Sequence, residues 1–131
     1  MRIILFEFQS VGLKAQLFET PTADFVWRML PFYTTALFWG RLVRLDVPLE
    51  IYRDPDARSI LEPGEVAFLP DRDDIVVGYG RTPISQGNEV RLWGEANVFA
   101  RMIDNVEQLR EVRDGSAVAI KRMVKRKKAE G

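Results

Sequence analysis

The side chains best suited to hold a ligand are a guanidinium and two hydroxyl groups that lie close together in the chain. Arg81, Thr82 and Ser85 stand within five residues of one another. They directly follow a strand-like run in which Gly78 and Gly80 share one face, where the missing side chains leave room for a ligand or for another stretch of backbone. Because a guanidinium is planar and pairs with two oxygen atoms at once, the segment predicts a pocket for a carboxylate or a phosphate.

Each of these features also has a purely structural interpretation. Gly78 and Gly80 can relieve crowding at a tight corner of a β-sheet. Arg81 can form a salt bridge with an acidic loop residue such as Asp73 or Asp74. The sequence leaves both interpretations open.

Aromatic side chains elsewhere in the chain complete the predicted pocket. We expect a tryptophan, Trp39 or Trp93, to form an apolar wall, because its large ring offers apolar contact area. Tyr79 joins the pocket if the Gly-Tyr-Gly segment twists, which glycine allows. The predicted ligand-binding residues are Trp39, Phe68, Tyr79, Arg81, Ser85, Trp93 and Asn97.

The composition excludes several kinds of site. The chain of 131 residues contains no histidine and no cysteine. It therefore has no Ser-His-Asp triad, no thiol nucleophile and no zinc site built on histidine or thiolate ligands. We predict no cofactor and no metal site, and any catalysis would fall to carboxylates, arginines, tyrosines, hydroxyl groups or backbone amides.

Positive charge is concentrated at the C-terminus. Six of the 19 basic residues lie between positions 121 and 128, whereas residues 1–120 carry a net charge of −5. A basic tail can contact nucleic acid or an acidic partner, but a solvated terminus that aids solubility has the same composition. We therefore expect at most weak binding of nucleic acid through the tail.

The sequence also bears on location. No apolar run approaches the roughly 20 residues that a membrane span needs. Strand-like alternation begins soon after Met1, in a pattern unlike a signal peptide. Without cysteines there are no disulfides, so a cytoplasmic location is expected.

Two amphipathic stretches predict helices. The first lies near residues 21–30, where Thr20 can cap the helix and Pro21 suits its first position. The second lies near residues 105–113, and Gly115 fits the position just beyond its end. Both carry apolar residues at helical spacing, so each is expected to pack one face on the core.

Period-two alternation predicts short strands over most of the remaining chain. The longest alternation covers Val43–Ile51, where Pro48 suggests an edge or a bulge. Arg44 lies on its polar face, which favours a solvated cross-strand pair over a catalytic cation. Two further strands are predicted over 90–93 and 96–101. The order of elements predicts a mostly β fold, a closed barrel capped at both ends, rather than a doubly wound sheet.

A set of short motifs occurs in a recognisable order. They are Phe38-Trp39-Gly40, Gly64-Glu65-Val66 with Pro70, Gly80-Arg81-Thr82-Pro83-Ile84-Ser85, Asn97-Val98, and Asp114-Gly115 followed by Ala117-Val118-Ala119-Ile120. Together they resemble the small bacterial and archaeal cyclophilin-like proteins of uncharacterised function. The resemblance runs from Arg2 to Arg122 and implies an eight-stranded barrel with two capping helices. The expected organisation is one barrel domain over residues 1–122 and a basic, flexible tail over residues 123–131.

The resemblance does not extend to the catalytic residues of true cyclophilins. Those enzymes isomerise prolyl bonds with an arginine near the start of the strand after the first helix, aided by a phenylalanine, a glutamine and a distant histidine. The corresponding region here, residues 32–39, reads FYTTALFW and contains neither arginine nor glutamine. A related cyclophilin-like domain in 5-oxoprolinase subunits suggests small-molecule chemistry instead.

Three functions are compatible with these features. The first is a protein that binds a small molecule or a peptide in a pocket near Tyr79 and Arg81, without ordinary prolyl isomerase activity. The second is a divergent prolyl isomerase with a relocated arginine, Arg81 or Arg44. The third is a non-catalytic interaction domain that uses the basic tail. The sequence indicates neither an oligomeric state nor a particular ligand.

Overall fold

A computed structural model describes residues 1–123 of the chain, which fold into nine strands, one α-helix and one 3₁₀ helix. The basic tail beyond residue 123 lies outside the described residues. The elements in chain order are β1 (Ile3–Phe8), β2 (Gly12–Leu17), α1 (Pro21–Met29), β3 (Phe32–Phe38), β4 (Leu42–Asp46), β5 (Arg58–Leu61), β6 (Glu65–Leu69), β7 (Asp74–Gly78), β8 (Val90–Met102), the 3₁₀ helix (Val106–Glu111) and β9 (Ala117–Met123).

Eight of the strands join in a ring. Their order is β2-β1-β9-β3-β4-β7-β6-β8, and β8 pairs back onto β2. All of these pairings are antiparallel, which confirms the mostly β prediction against a doubly wound sheet. The ninth strand, β5, was not expected as an extra element and pairs with β8 outside the ring.

The two predicted helices are present at the predicted positions. Thr20 caps α1, since its hydroxyl accepts a hydrogen bond of 3.1 Å from the backbone N–H of Ala23. Asn105 caps the second helix through the backbone N–H of Glu107, at 3.0 Å. This second helix has only six residues and adopts the tighter 3₁₀ form, which is used in short pieces. No helix among residues 1–123 is long and apolar enough to cross a membrane.

Two strand predictions need correction. The alternation from Val43 to Ile51 forms a strand only as far as Asp46. Pro48 has no N–H to offer a neighbouring strand, so pairing stops, although Val47 and Leu49 still point into the core. The strands predicted over 90–93 and 96–101 are one strand of 13 residues, β8, which continues through Gly94.

Strands β6 and β7 are buried on both faces, and this divides the core in two. On β6, Val66 and Phe68 join a large cluster inside the ring, whereas Ala67 and Leu69 join a second cluster. Successive side chains of a strand point to opposite faces, so the second cluster lies on the outside of the ring. We call it the outer cluster; its buried members are Leu42, Leu61, Ala67, Leu69, Val76, Val90, Leu92 and Ala96.

An ion pair between a half-exposed arginine and a buried glutamate fastens β5 beside the outer cluster. The guanidinium of Arg58 donates two hydrogen bonds to the carboxylate of Glu65, at 3.1 and 2.7 Å. The backbone N–H of Glu62 donates a third, at 2.7 Å. Burial by itself raises the pKa of Glu65, but the hydrogen bonds from Arg58 and Glu62 outweigh burial and hold that pKa below its usual value.

We predict that Glu65→Gln lowers the unfolding free energy at pH 7 by about 1–2 kcal/mol. This loss is smaller than for a fully buried ion pair, because Arg58 is half exposed. The lowered pKa of Glu65 means that its contribution is present above the ordinary value of 4.5 and is lost as pH falls through the folded-state pKa. Urea unfolding of both proteins at pH 7 and about pH 3 should therefore show the difference shrinking in acid.

The control for this variant is Glu62→Gln. Glu62 is 70% exposed and pairs with Arg101, so the substitution should change stability by at most about 0.5 kcal/mol. A difference between Glu65→Gln and the wild type that is equal at both pH values would contradict the ion-pair account.

Candidate functional site

Two tryptophans meet at one edge of the outer cluster. Trp39 lies in the turn between β3 and β4, and Trp93 lies on β8. Both pack against the outer cluster, with their rings perpendicular, at an interplanar angle of 89° and a centroid distance of 4.6 Å. An edge-to-face pair of this kind is favourable and fixes both indoles in place.

Close backbone packing explains why glycines accompany the two tryptophans. A Cβ on Gly40 would lie 2.7 Å from the carbonyl oxygen of Arg81, and its φ of +62° also favours glycine. A Cβ on Gly94 would lie 2.7 Å from a carboxylate oxygen of Asp71, in the loop between β6 and β7. That loop therefore rests directly on β8 beside Trp93.

Two arginines complete the site. Arg44 projects from β4 on the same face as Leu42 of the outer cluster. Arg72 comes from the β6–β7 loop, and its guanidinium carbon lies 5.7 Å from the centre of the Trp93 ring, within range of a cation–π contact. Together these side chains line a cavity of about 270 Å³. We call this site, made of Trp39, Arg44, Arg72 and Trp93, the tryptophan–arginine cleft.

Arg44 and Arg72 differ in their partners. Arg44 pairs with Asp74 across β4 and β7, with 3.4 Å between Nη1 and Oδ2. The pair is cross-strand as expected, but it is not the solvated pair predicted, because the Asp74 carboxylate is buried. Within residues 1–123, Arg72 forms no salt bridge. Its fork is therefore free to bind an anion.

The indole N–H of Trp93 has an unusual environment. Among the described residues it is the single buried side-chain polar atom without a hydrogen-bond partner. Buried donors almost always find an acceptor in native proteins, because leaving one unpaired costs about 1–3 kcal/mol. This nitrogen is almost completely shielded from solvent, so a ligand in the cavity does not contact it in this conformation.

Asp74 sits next to the cleft and is almost completely buried. Burial raises its pKa, and the nearby Asp46 adds to this effect, while Arg44 and Arg72 act in the opposite direction. The two arginines of the cleft thus offset part of the effect of burial on this pKa. No group of three acidic residues within positions 1–123 is arranged to hold a metal ion.

The family is decided by a match along nearly the whole described chain. The model of the cyclophilin-like family matches residues 1–121. The chain belongs to the cyclophilin-like family. The resemblance seen in the motifs is thereby confirmed, and this cyclophilin-like chain retains the family's fold without the cyclophilin arginine on β3.

A solved structure supports the same conclusion about the fold. The solution structure of a hypothetical protein from Archaeoglobus fulgidus is similar to this cyclophilin-like chain, with a TM-score of 0.80 and 26% sequence identity. The similarity covers 93% of this chain and 95% of the archaeal one. No curated protein matches the chain.

The structure brings only Trp39 and Trp93 of the seven predicted ligand-binding residues into the cleft. Phe68 is fully buried inside the ring, and Tyr79 packs against the same inner cluster. The buried amide of Asn97 bridges three segments: it accepts from the N–H of Asp54 and donates to Thr22 and to the carbonyl of Tyr52.

Arg81 and Ser85 lie together in a turn that is tied to β8. The hydroxyl of Ser85 accepts from the backbone N–H groups of Thr82 and Arg91, at 2.9 and 3.3 Å. The buried hydroxyl of Thr82 donates to the carbonyl of Arg91, at 2.6 Å. Arg81 forms no salt bridge with Asp73 or Asp74; its guanidinium donates to the carbonyl of Ser85, at 3.3 Å.

Neither Arg72 nor Arg44 was among the ligand-binding residues predicted from the sequence. Arg72 stands in an acidic loop, Asp71-Arg72-Asp73-Asp74, where an internal salt bridge is the natural expectation. The guanidinium of Arg72 instead lies over the ring of Trp93. No pattern in the sequence indicates this contact.

Gly78 and Gly80 provide a test of the crowding interpretation. A Cβ on Gly78 would lie 2.4 Å from Cγ1 of Val90, and one on Gly80 would lie 2.6 Å from the side chain of Arg41. The bare strand face is thus filled by the protein itself. We predict that Gly78→Ala lowers the unfolding free energy by about 1–3 kcal/mol through overpacking.

Two variants calibrate this result in the same thermal or urea unfolding measurement. Adding Val90→Ala to Gly78→Ala should recover part of the loss, because it removes the colliding methyl groups. Gly12→Ala, whose nearest neighbour lies 3.6 Å away, should stay within about 0.5 kcal/mol of the wild type. A Gly78→Ala protein as stable as the wild type would disprove the crowding account.

The Asp74–Arg44 pair gives a prediction about pH. Because the pKa of Asp74 is raised above its ordinary value of 3.8, its contribution to stability is greatest in acid and is lost as pH rises through the folded-state pKa. We predict that Arg44→Gln raises the pKa of Asp74 further, since the ionised form loses its nearest cation. An NMR titration of the Asp74 carboxyl carbon measures this directly.

Arg53→Gln is the matched control for that titration. Arg53 pairs with Glu95 at the surface and has no part in the environment of Asp74. The control should leave the Asp74 titration unchanged. An Arg44→Gln variant with the same Asp74 pKa as the wild type would show that Arg44 does not support this charge.

Proposed function

We propose that this cyclophilin-like protein binds a small molecule in the tryptophan–arginine cleft. The cleft combines two large apolar rings with two guanidinium groups in one cavity. Mostly apolar walls with a few placed polar groups are typical of ligand sites. We also infer that the ring of eight strands is a closed barrel with the two helices over its ends, because both helices bury side chains in the inner cluster.

The guanidinium of Arg72 is the observation that carries the proposal. It forms no salt bridge within residues 1–123, and it lies 5.7 Å from the centre of the Trp93 ring at the wall of the cavity. A cation without a carboxylate partner beside two apolar rings can take an anionic ligand through its planar fork.

The volume of the cleft favours a small molecule over a peptide. Sites for drug-sized ligands measure about 300–1,000 Å³, and the cleft, at about 270 Å³, is slightly smaller. A single ring or a short chain fits, whereas a peptide could insert only one side chain. Arg81 and Tyr79 stay a separate, untested prediction for a ligand contact near the turn of residues 81–85.

Binding can be tested with the three tryptophans as reporters. In an NMR spectrum, each indole N–H gives its own signal. A small molecule in the cleft should shift the signals of Trp39 and Trp93, with the larger effect on Trp93. Trp27 lies on α1, where the guanidinium groups of Arg2 and Arg122 contact its ring, and it serves as the internal control. If small molecules from a broad library shift all three signals equally or none, the proposed site is wrong.

We further propose that the protein lacks ordinary prolyl isomerase activity. Stabilising a twisted prolyl amide needs a donor near the proline nitrogen, and β3 has no arginine to provide it. Arg44, on the adjacent strand, is engaged with Asp74.

We predict that turnover of a proline-containing peptide is at least tenfold slower than with an ordinary cyclophilin, measured in the same assay. Arg44→Gln and Arg81→Gln should leave any residual rate unchanged. Turnover within tenfold of a cyclophilin, reduced by either substitution, would instead support the divergent isomerase.

A further inference from the structure

The tryptophan–arginine cleft carries a more specific inference, which depends on the binding function proposed above. We propose that its ligand is a small aromatic carboxylate, a monoanion with one ring, and that Arg72 is the residue that recognises its charge. Four observations lead to this ligand class: the free guanidinium, the two indole rings, the local charge and the size of the cavity.

The donors in the cleft call for a group with two acceptor atoms. Arg72 has no carboxylate partner among residues 1–123, and Arg44 already uses its guanidinium on Asp74. A carboxylate presents two oxygens, and the planar fork of Arg72 can donate to both of them.

The charges around the cleft favour a single negative charge. Arg44 and Arg72 bring two positive charges, and the carboxylates of Asp71 and Asp74 lie beside Gly94 and Arg44 respectively. The charge of Arg44 is matched by Asp74, so Arg72 is the cation of the cleft that has no salt-bridge partner within residues 1–123. A monoanion matches this one charge, whereas the second charge of a dianion such as a phosphate monoester would have no cation to pair with and would lie near Asp71 and Asp74.

The walls favour a flat apolar body. Trp39 and Trp93 both line the cavity, and their rings stand at 89° to each other. Their indoles offer apolar contact area on which an aromatic ring can pack. A volume of about 270 Å³ leaves space for one such ring and its carboxylate, and not for a nucleotide.

Benzoate, benzamide and phenyl phosphate test the inference as matched probes. They share the ring and differ in carrying one negative charge, none, or up to two. Titration into wild-type protein, followed by the indole signals of Trp39 and Trp93, should show benzoate binding at least tenfold more tightly than the other two. Benzamide or phenyl phosphate binding as tightly as benzoate would overturn the charge assignment.

Substitution at Arg72 tests the role of that residue. Arg72→Gln should weaken benzoate at least tenfold and leave benzamide within twofold, while Arg72→Lys should recover part of the loss. Arg110→Gln is the control, because Arg110 is an exposed arginine of the 3₁₀ helix with one ion pair, to Glu107. All three variants should keep the wild-type melting temperature within a few degrees. Equal benzoate affinity in Arg72→Gln and wild type would remove Arg72 from the site.

The outcomes separate this inference from the proposed function. If other small molecules shift Trp39 and Trp93 but benzoate does not, the cleft is a binding site and the carboxylate assignment is wrong. If benzoate shifts signals outside the cleft only, both are wrong. A shift confined to the cleft that responds to Arg72→Gln and not to Arg110→Gln supports both.

Discussion

The burial of β6 and β7 on both faces is the constraint on which the rest of this structure depends. Every residue of both strands is buried. A strand covered on both faces needs a second layer of side chains, and one ring of strands supplies only the inner layer. Strand β5, the first half of β8 and the two tryptophans therefore fold over the outside of the ring. The tryptophan–arginine cleft forms where this outer layer ends.

The outer layer explains why polar groups are so closely paired around it. Glu65 and Asp74 begin the two doubly buried strands and are themselves almost fully buried. Each carboxylate is matched by an arginine, Arg58 or Arg44, because an uncompensated buried charge is strongly unfavourable. The pKa shifts run in opposite directions, since Glu65 receives three hydrogen bonds and Asp74 one long contact. Asp74, whose charge is less well compensated, is the one that lies beside the cleft.

Sequence periodicity predicted most of the secondary structure because burial follows simple rules. Thr20 and Pro21 marked the start of the first helix, apolar residues at helical spacing marked the second, and alternation located most strands. The outer strand β5 was not predicted, because its burial pattern depends on its pairing with β8 and not on its own sequence. The strand predicted over Val43–Ile51 was too long because alternation continues after Pro48 has ended the pairing.

The site was harder to predict because side-chain direction in loops and turns is set by tertiary contacts. Gly78 and Gly80 looked like open space, yet Val90 and Arg41, which are distant in sequence, fill it. Ser85 and Asn97 looked like ligand contacts, and their polar atoms satisfy the backbone instead. The tryptophans could be proposed as a wall, but nothing in the sequence showed that Arg72 would leave its acidic neighbours to stack on Trp93.

A crystal structure of the protein with bound benzoate tests the central claim most directly. The account predicts both carboxylate oxygens within about 2.7–3.2 Å of the guanidinium nitrogens of Arg72, and the ring against Trp39 or Trp93. A ligand bound elsewhere, or an Arg72 guanidinium paired with a carboxylate of the protein while the cleft stays without benzoate, would contradict it.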